Sequence, residues 1–399
     1  MRKIPILLSM LLFITGCWDR YELEERANIL GLAIDIAEEE DMKEEPEVTH
    51  REGKFPEEEK GDYVKVTAQI SLPGKIKLGP EGGGGEGSEK NAWVLETVGH
   101  TVKDAMANLQ QQLAEKLYMG HLQIIVISED LAKRGVTEIN DYFRRNPEVR
   151  RTAWMVVNEK DASKVLEASP PVETVPSLYL SETLDNSVRF GKLPREYLGK
   201  YWIDLSDPGV DAILPTVKVQ NNDRILLDGM AYFKGEKMVD KFPPIEIGVY
   251  MSIKEKNPGG YGNPLSLSNE KGVYIVKATE RKSKIRTKVE NGKPSATIEV
   301  KVDSDIVEEV NANHLDKETV NKLEEELSKK AKNIGEEFIK KLKEDGSDVL
   351  GLGARIRAKY AKYWDEKVKT DEQWSEIYKD MDIQVNYEIN IRRTGMVWK

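Results

Sequence analysis

Residues 121–127 read His-Leu-Gln-Ile-Ile-Val-Ile, and this mostly apolar run predicts a buried strand. Before it, apolar residues recur at helical spacing and predict a helix over residues 101–117. The apolar stripe of that helix comprises Val102, Ala105, Met106, Leu109, Leu113 and Leu117. After the strand, residues 131–145 predict a second helix and residues 152–157 a further strand. Because helices alternate with strands, we expect an α+β fold in which helices pack on a mixed sheet.

The part of the chain before this region predicts two strands and two loops. Residues 27–36 are mostly apolar and predict a buried strand, and the alternating residues 62–70 predict its partner. Residues 38–60 are rich in Glu, Asp, Lys and Pro, which predicts a solvated loop. Residues 79–88 include four consecutive glycines, but they also carry glutamates that repel anions, and no helix start follows directly. A loop is therefore favoured there over a phosphate site.

The middle of the chain is rich in predicted strands. Residues 161–168 predict a short helix, and residues 170–207 predict a connection with short helices, where we place a domain boundary. Tight hairpins are expected at 233–237 and at Asn291-Gly292. Strands are predicted at 213–219, 225–234, 237–239, 272–278, 284–289 and 296–302.

The C-terminal part predicts a long amphipathic helix and a long strand. Asp316 can cap the helix and Gly346 can end it. Its stripe comprises Val320, Leu323, Leu327, Ala331, Ile334, Phe338 and Leu342. Such a stripe suits a coiled-coil seam or an adjacent sheet, and we favour the sheet. Shorter helices are predicted from Gly351-Leu352-Gly353 through Trp364 and over residues 373–378, and the alternating residues 381–391 predict the strand.

Length and composition indicate several water-facing domains. The chain has 399 residues, of which 39% are hydrophobic and 33% charged, and its net charge is −10, which argues against a nucleic-acid partner. Its single cysteine excludes an internal disulfide. The predicted division is a signal peptide at 1–16, an N-terminal α+β domain at 17–190, a β-rich middle domain at 191–290 and a C-terminal α+β domain at 291–399.

The first residues indicate export and lipidation. Arg2 and Lys3 precede an apolar run at 4–13, which is too short to span a bilayer, and Ile14-Thr15-Gly16-Cys17 follows. This ending resembles a bacterial lipobox, in which the cysteine thiol takes a diacylglycerol and becomes the mature N-terminus. The alternative is an ordinary signal peptide beside a free thiol, which is unusual in an exported protein. We therefore predict Cys17 as the lipidation site and a membrane anchor through its acyl chains.

The sequence does not predict an enzyme. The chain has four histidines, His50, His100, His121 and His314, and none forms an i, i+4 ligand pair. No G-x-S-x-G nucleophile motif occurs, and His121 is interpreted as a capping or core residue at the head of its strand. We predict no catalytic residues, no metal site and no cofactor.

A series of short motifs runs along nearly the whole chain. It comprises Gly16-Cys17-Trp18-Asp19, Glu22-Leu23, Gly31, Ile34-Asp35, Gly120-His121-Leu122, residues 131–135, Arg144-Arg145-Asn146, Arg150, Leu193-Pro194-Arg195-Glu196, residues 207–211, 229–234 and 237–239, Gly351-Leu352-Gly353, Tyr360, Tyr363-Trp364 and residues 391–395. In this order the motifs resemble the C subunit of bacterial spore germinant receptors, the Ger(x)C lipoprotein family.

The resemblance implies a non-enzymatic protein of three α+β domains, anchored by lipid on the outer surface of the inner spore membrane. It implies two partners, an A subunit with a soluble domain and membrane spans and a B subunit resembling amino-acid transporters. Such complexes respond to nutrients and start germination. Among functional residues, Cys17 alone carries over.

Two other classes of protein stay open at this point. A lipid-anchored solute-binding protein of a transporter would need a concave pocket with a few convergent polar groups. A surface hydrolase is a more distant alternative.

Overall fold

The computed structural model describes residues 26–43, 63–72, 92–168, 170, 173, 175–221, 223–256, 259–260, 262–267, 272–311 and 315–393. The predicted loop at 79–88 and Cys17 lie outside these residues. Of the loop predicted at 38–60, the residues up to 43 are described, and they include the one-turn helix α1, Glu39–Met42.

The larger sheet forms around the strand that the sequence places at 121–127. Within the described residues its nine strands are β1 (Arg26–Ile36), β2 (Val64–Ser71), β3 (Ala92–Gly99), β4 (Lys116–Tyr118), β5 (Ile124–Ser128), β6 (Trp154–Asn158), β7 (Ile213–Gln220), β8 (Arg224–Lys234) and β9 (Lys237–Phe242). Their order is β3-β2-β1-β5-β6-β7-β8-β9, with β4 beside β1. The central strands β1, β5, β6 and β7 are parallel and the outer ones antiparallel, which confirms the mixed sheet.

The central strands are largely apolar because both faces of this sheet are buried. Ile124 and Val126 belong to one hydrophobic core, whereas Ile125 and Ile127 belong to the core on the opposite face. Side chains of a strand alternate between faces, so a strand covered on both sides needs a continuous apolar run. Residues 124–127 have that pattern, and the strand predicted at 121–127 accordingly begins at Ile124.

Six helices in the described part of the chain connect or cover these strands. They are α2 (Val102–Gln110), α3 (Glu129–Arg134), α4 (Thr137–Arg145), α5 (Ser163–Glu167), α6 (Pro176–Arg189) and α7 (Leu198–Ser206). Helix α6, with 14 residues, is longer than the short helices predicted for residues 170–207.

Two of the helix predictions need correction. The helix predicted over 101–117 ends at Gln110, because the Gln110 amide donates to the carbonyl of Glu115 (3.0 Å) and accepts from the backbone N–H of Leu117 (2.9 Å). These bonds turn the chain back toward strand β4. The helix predicted over 131–145 is two helices separated at Gly135, whose φ is 134°.

The smaller sheet is built on one long hairpin. Its strands, in spatial order, are β10 (Asn263–Leu265), β11 (Val273–Glu290), β12 (Lys293–Val310) and β13 (Asp382–Arg393). The predicted turn at Asn291-Gly292 is confirmed, with φ values of 52° and 75°. The separate strands predicted at 272–278 and 284–289 are a single strand, since the charged residues between them also pair with β12.

The sequence does not predict helix α8 (Pro244–Ile253), which packs between the two sheets. Its Ile247, Tyr250 and Met251 share one hydrophobic core with the larger sheet and with strand β12. The core of the smaller sheet is therefore continuous with that of the larger one.

The long helix α9 (Lys317–Asp345) lies against strand β13, as predicted. The Asp316 side chain accepts from the backbone N–H of Thr319 (2.8 Å), and Gly346 ends the helix in the left-handed conformation. Strand β13 is an edge strand, and two of its N–H groups donate to side chains of α9, from Ile389 to Ser328 Oγ (2.9 Å) and from Ile391 to Glu324 Oε1 (2.7 Å). The helix thus covers an otherwise open sheet edge.

The chain between α9 and β13 folds into short helices. These are α10 (Leu352–Lys359), α11 (Ala361–Tyr363), a π-helical turn (Trp364–Val368) and α12 (Asp371–Lys379). The single helix predicted through Trp364 is wrong, because it is interrupted at Tyr360, whose φ and ψ of −128° and 53° are not helical.

The two internal domain boundaries are predicted after residues 190 and 290, and both lie at the end of an element. Residue 190 follows α6 directly, and strands on both sides of it share the larger sheet through the pairing of β6 and β7. Residue 290 is the last residue of β11, at the turn into β12. The three-domain division itself stays a prediction. None of the helices in the described residues is long and apolar enough to cross a membrane.

Candidate functional site

The predicted lipidation residue, Cys17, lies outside the described residues, and the described chain begins nine residues later at Arg26. Arg26 opens β1 and pairs with Lys116 of β4. Its guanidinium carbon lies 4.4 Å from the ring centroid of Tyr118. The structure thus fixes where the segment from Cys17 joins the folded body.

The histidines do not form a site among the described residues. His100 lies against the ring of Tyr63, with centroids 4.1 Å apart, and His121 lies 5.9 Å from the ring of Tyr118. His50 and His314 lie outside the described residues. Within the described chain, no group of three or more His, Cys, Asp or Glu residues is arranged to hold a metal ion.

A buried cluster of polar bonds centred on Asp348 joins the smaller sheet's helices to the larger sheet. The Asp348 carboxylate is fully buried and accepts from the backbone N–H groups of Leu352 (3.0 Å) and Gly353 (2.7 Å) and from Trp374 Nε1 (3.0 Å). Burial raises the pKa of Asp348. Three donors satisfy the buried carboxylate, so the cluster fixes the start of α10 against α12.

Asp211 links Asp348 to the larger sheet by hydrogen bonds. It accepts from the backbone N–H of Asp348 (2.7 Å) and of Gly235 (3.1 Å), and its own N–H donates to the Asp348 carbonyl (3.1 Å). Burial raises the pKa of Asp211 to about 7 despite these two bonds. Asp211 and Asp348, with Gly209, Gly353 and Trp374, are called the carboxylate junction below.

The backbone approaches itself closely at the carboxylate junction. A Cβ atom on Gly353 would lie 2.5 Å from Trp374 Nε1 and 2.7 Å from the Cα atom of Gly209. The Gly209 carbonyl accepts from the N–H of Ala354 (3.1 Å). A side chain at position 353 would therefore displace the Trp374 ring or the Gly209 backbone, so this contact requires glycine.

Two further buried carboxylates belong to quoted motifs. Asp35 accepts from the N–H groups of Ala162 (2.7 Å) and Ser163 (3.2 Å), and burial raises its pKa to about 6. Glu196 is 1% exposed, and neither of its carboxylate oxygens has a hydrogen-bond partner. The nearest cation is Lys200, at 3.9 Å, and burial raises the pKa of Glu196 to about 7.

A largely apolar cavity of about 530 Å³ lies between α8, α9 and the smaller sheet. Its walls include Val249, Val302 and Ile334. Arg281 also lines it, and burial lowers the pKa of that guanidinium, whose Nη2 donates to the Gly259 carbonyl (3.3 Å). The volume lies within the usual range of small-molecule sites, about 300–1,000 Å³.

Comparison with known proteins decides the family. A model described as "Spore germination protein N-terminal domain" matches residues 19–219, and one described as "Spore germination B3/GerAC like, C-terminal" matches residues 228–395. The chain belongs to the GerAC family of spore germination proteins. The resemblance that the motif series indicated is thereby confirmed.

Curated relatives of this GerAC-family chain match along nearly its whole length. The putative spore germination protein YfkR of Bacillus subtilis is 25% identical, over 99% of this chain and 97% of its own. GerQC of Bacillus cereus is 26% identical, over 84% and 92%. Spore germination protein KC of B. subtilis is 24% identical, over 98% and 95%.

A solved structure shares the fold. The crystal structure of the GerBC protein superposes with a TM-score of 0.56 at 21% identity and covers 83% of this chain and 94% of that one. This likeness supports the α+β fold with mixed sheets and helices packed on them.

Several motif residues, among them Asp35, Asp211 and Gly353, hold one element to another. Asp35, Glu196 and Asp211 belong to the motif series, but the sequence did not predict their burial. Asp348 was not predicted as a functional or structural residue. The available signal was an acidic residue two positions after a proline or glycine, as in Pro194-Arg195-Glu196 and Gly209-Val210-Asp211, or one inside an apolar strand, as in Ile34-Asp35-Ile36.

Proposed function

We propose that this GerAC-family chain is the lipid-anchored C subunit of a nutrient germinant receptor in bacterial spores. It would be held through Cys17 on the outer surface of the inner membrane and act by contact with the A and B subunits. The family match over residues 19–219 and 228–395 carries this proposal. The lipobox-like Ile14-Thr15-Gly16-Cys17 supports the anchor.

A non-enzymatic role fits what the described residues offer. The buried carboxylates Asp35, Asp211 and Asp348 accept backbone N–H bonds and join elements. Catalysis by such groups would need a nucleophile or an acid–base partner within hydrogen-bond reach of a substrate. Their bonds instead support a body that works through its surface.

Germination of spores carrying Cys17→Ala tests the proposal. In a strain without a redundant paralogue, this change and deletion of the gene should both impair nutrient-triggered germination, because the body is no longer held beside its partners. Normal germination in both strains would contradict the proposal. Purification of the tagged chain from spore membranes should also bring down the A and B subunits.

The solute-binding alternative is tested separately, because the apolar cavity has a suitable volume. The family match favours the receptor subunit. Calorimetry of the purified protein against amino acids and sugars should show no tight binding. Micromolar binding of such a solute, together with normal germination of the deletion strain, would favour the alternative.

A further inference from the structure

One surface of the larger sheet combines exposed arginines with exposed apolar side chains. It consists of Arg144, Arg150, Arg151, Trp202 and Ile203, and is called the arginine surface below. The three arginines are exposed, Trp202 is half-buried, and Ile203 is 58% exposed. The surface thus joins three arginines to an exposed isoleucine, on a chain whose net charge is −10.

Contacts of helix α4 and of the α4–β6 loop with helix α7 hold this surface together. Arg144 Nη2 donates to the Trp202 carbonyl (3.1 Å) and to Ser206 Oγ (3.2 Å), and its guanidinium carbon lies 5.8 Å from the Trp202 ring centroid. The backbone N–H of Gly199 donates to the Arg151 carbonyl (2.9 Å). The arginines and the apolar residues therefore belong to one continuous face.

The positive charge of this surface is available to a partner. The side chains of Arg150 and Arg151 form no ion pair with any residue that the structure describes. The neighbouring Arg145 is paired with Asp141 (2.7 Å), and Glu148 accepts from the backbone N–H of Met119 (2.9 Å). An anionic partner can therefore approach Arg150 and Arg151 without displacing another acid.

The lipid tether joins the body beside this surface. Strands β1, β5 and β6 are parallel, with Gly31 paired to Ile124 and Ile124 paired to Trp154. The N-terminal ends of parallel strands lie at the same edge of a sheet. Arg26, which opens β1, and Arg151, just before β6, therefore lie at the same edge.

Side-chain contacts connect the start of β1 to the loop that carries Arg150 and Arg151. Strand β4, which pairs with Arg26, leads into Met119, whose sulfur lies 3.5 Å from Nδ2 of Asn146. Asn146 begins the loop that carries Arg150 and Arg151. Eight residues lie between Cys17 and Arg26, and the nine Cα-to-Cα steps that join them span at most about 30 Å. A lipid at Cys17 thus keeps this edge of the sheet within reach of the bilayer.

We propose that the arginine surface is the face that the body turns to the membrane, where it docks on anionic phospholipid headgroups. Guanidinium groups bind phosphate through paired hydrogen bonds, and the exposed Ile203 side chain enters the interfacial layer, while Trp202 packs behind it with its Nε1 donating to Asn140 Oδ1 (3.4 Å). The inference rests on the lipid anchor of the proposed function. The experiment below measures docking of the arginine surface and attachment through the lipid separately.

The experiment uses the native lipidated protein, purified from membranes and reconstituted into vesicles. Because Cys17 is the only cysteine and lipidation consumes its thiol, an introduced Ile203→Cys gives a single site for a fluorophore. Glu325→Cys on the exposed face of α9 is the matched control position. The vesicles contain phosphatidylglycerol and phosphatidylcholine in equal parts, or phosphatidylcholine alone, with a nitroxide quencher on the lipid headgroup.

We expect quenching at position 203 in the anionic vesicles and little at position 325. Adding Arg150→Gln and Arg151→Gln should lower the ratio of docked to undocked protein by roughly 10- to 30-fold, since each charge near an anionic surface contributes about fivefold. The control pair Lys329→Gln and Lys332→Gln makes the same charge change on the solvent face of α9 and should have no effect.

Four results would overturn the inference. Equal quenching at positions 203 and 325 would exclude docking through this surface, and so would quenching at 203 that is unchanged by the arginine substitutions. In both cases flotation of the protein with the vesicles verifies that the lipid anchor is intact. Shielding of position 203 only after addition of the receptor subunits would assign the surface to an acidic protein partner instead. Protein that does not float because Cys17 carries no lipid refutes the anchor and this inference together.

Discussion

The burial of the Glu196 carboxyl group lowers the stability of the folded protein when that group is ionised. The residue is 1% exposed, both carboxylate oxygens lack hydrogen-bond partners, and burial raises its pKa from 4.5 to about 7. A raised pKa means that the folded state holds the proton more tightly than the unfolded state does. The contribution of protonated Glu196 to the free energy of unfolding is therefore fully present below pH 4.5 and is lost as the pH rises through about 7.

We predict that Glu196→Gln raises the free energy of unfolding at pH 8, because the variant buries no charge there. The gain should be on the order of 2–3 kcal/mol and should vanish near pH 4. Thermal unfolding at several pH values measures it. The exposed Glu182→Gln serves as the control and should change nothing. A variant that is less stable than the native protein at pH 8 would refute this account of Glu196.

At the scale of elements, the carboxylate junction holds α10 and α12 to the larger sheet. Asp348 and Asp211 are 137 residues apart in the chain, yet the N–H of one donates to the carboxylate of the other. Gly209 and Gly353 allow this contact because neither has a side chain. The packing of the smaller sheet's helices therefore depends on a few close backbone contacts.

Gly353→Ala should lower the free energy of unfolding by about 1–3 kcal/mol, since the added methyl group meets the Trp374 ring and the Gly209 backbone. Gly248→Ala in α8 is the matched control. Its added Cβ meets nothing within 4 Å, and alanine favours a helix by about 1 kcal/mol, so stability should hold or rise. Urea unfolding compares the two variants, and equal losses in both would contradict the close contact.

Elements whose causes are local could be predicted from the sequence. Helix α9 has its cap at Asp316, its stripe and its final Gly346 within one stretch, and its prediction is confirmed. Helix α8 could not be predicted in this way, because most of its residues are apolar and they lack an amphipathic period. The carboxylate junction could not be predicted, because its partners are brought together only by the tertiary fold.

At the scale of the whole molecule, the two sheets share one hydrophobic core through α8. The parallel strands of the larger sheet begin at one common edge. The N-terminal ends of β1 and β6 place the entry of the chain and the arginine surface at one edge. A lipid at Cys17 would convert this geometry into a defined orientation on the membrane. The receptor partners would then meet the remaining faces.

Mass spectrometry of the N-terminal peptide from the native, membrane-purified protein tests the central claim most directly. The account predicts that the mature chain begins at Cys17, that its thiol carries a diacylglycerol, and that residues 1–16 are absent. A chain that begins elsewhere, or a free thiol at Cys17, would contradict the account of a lipid-anchored receptor subunit.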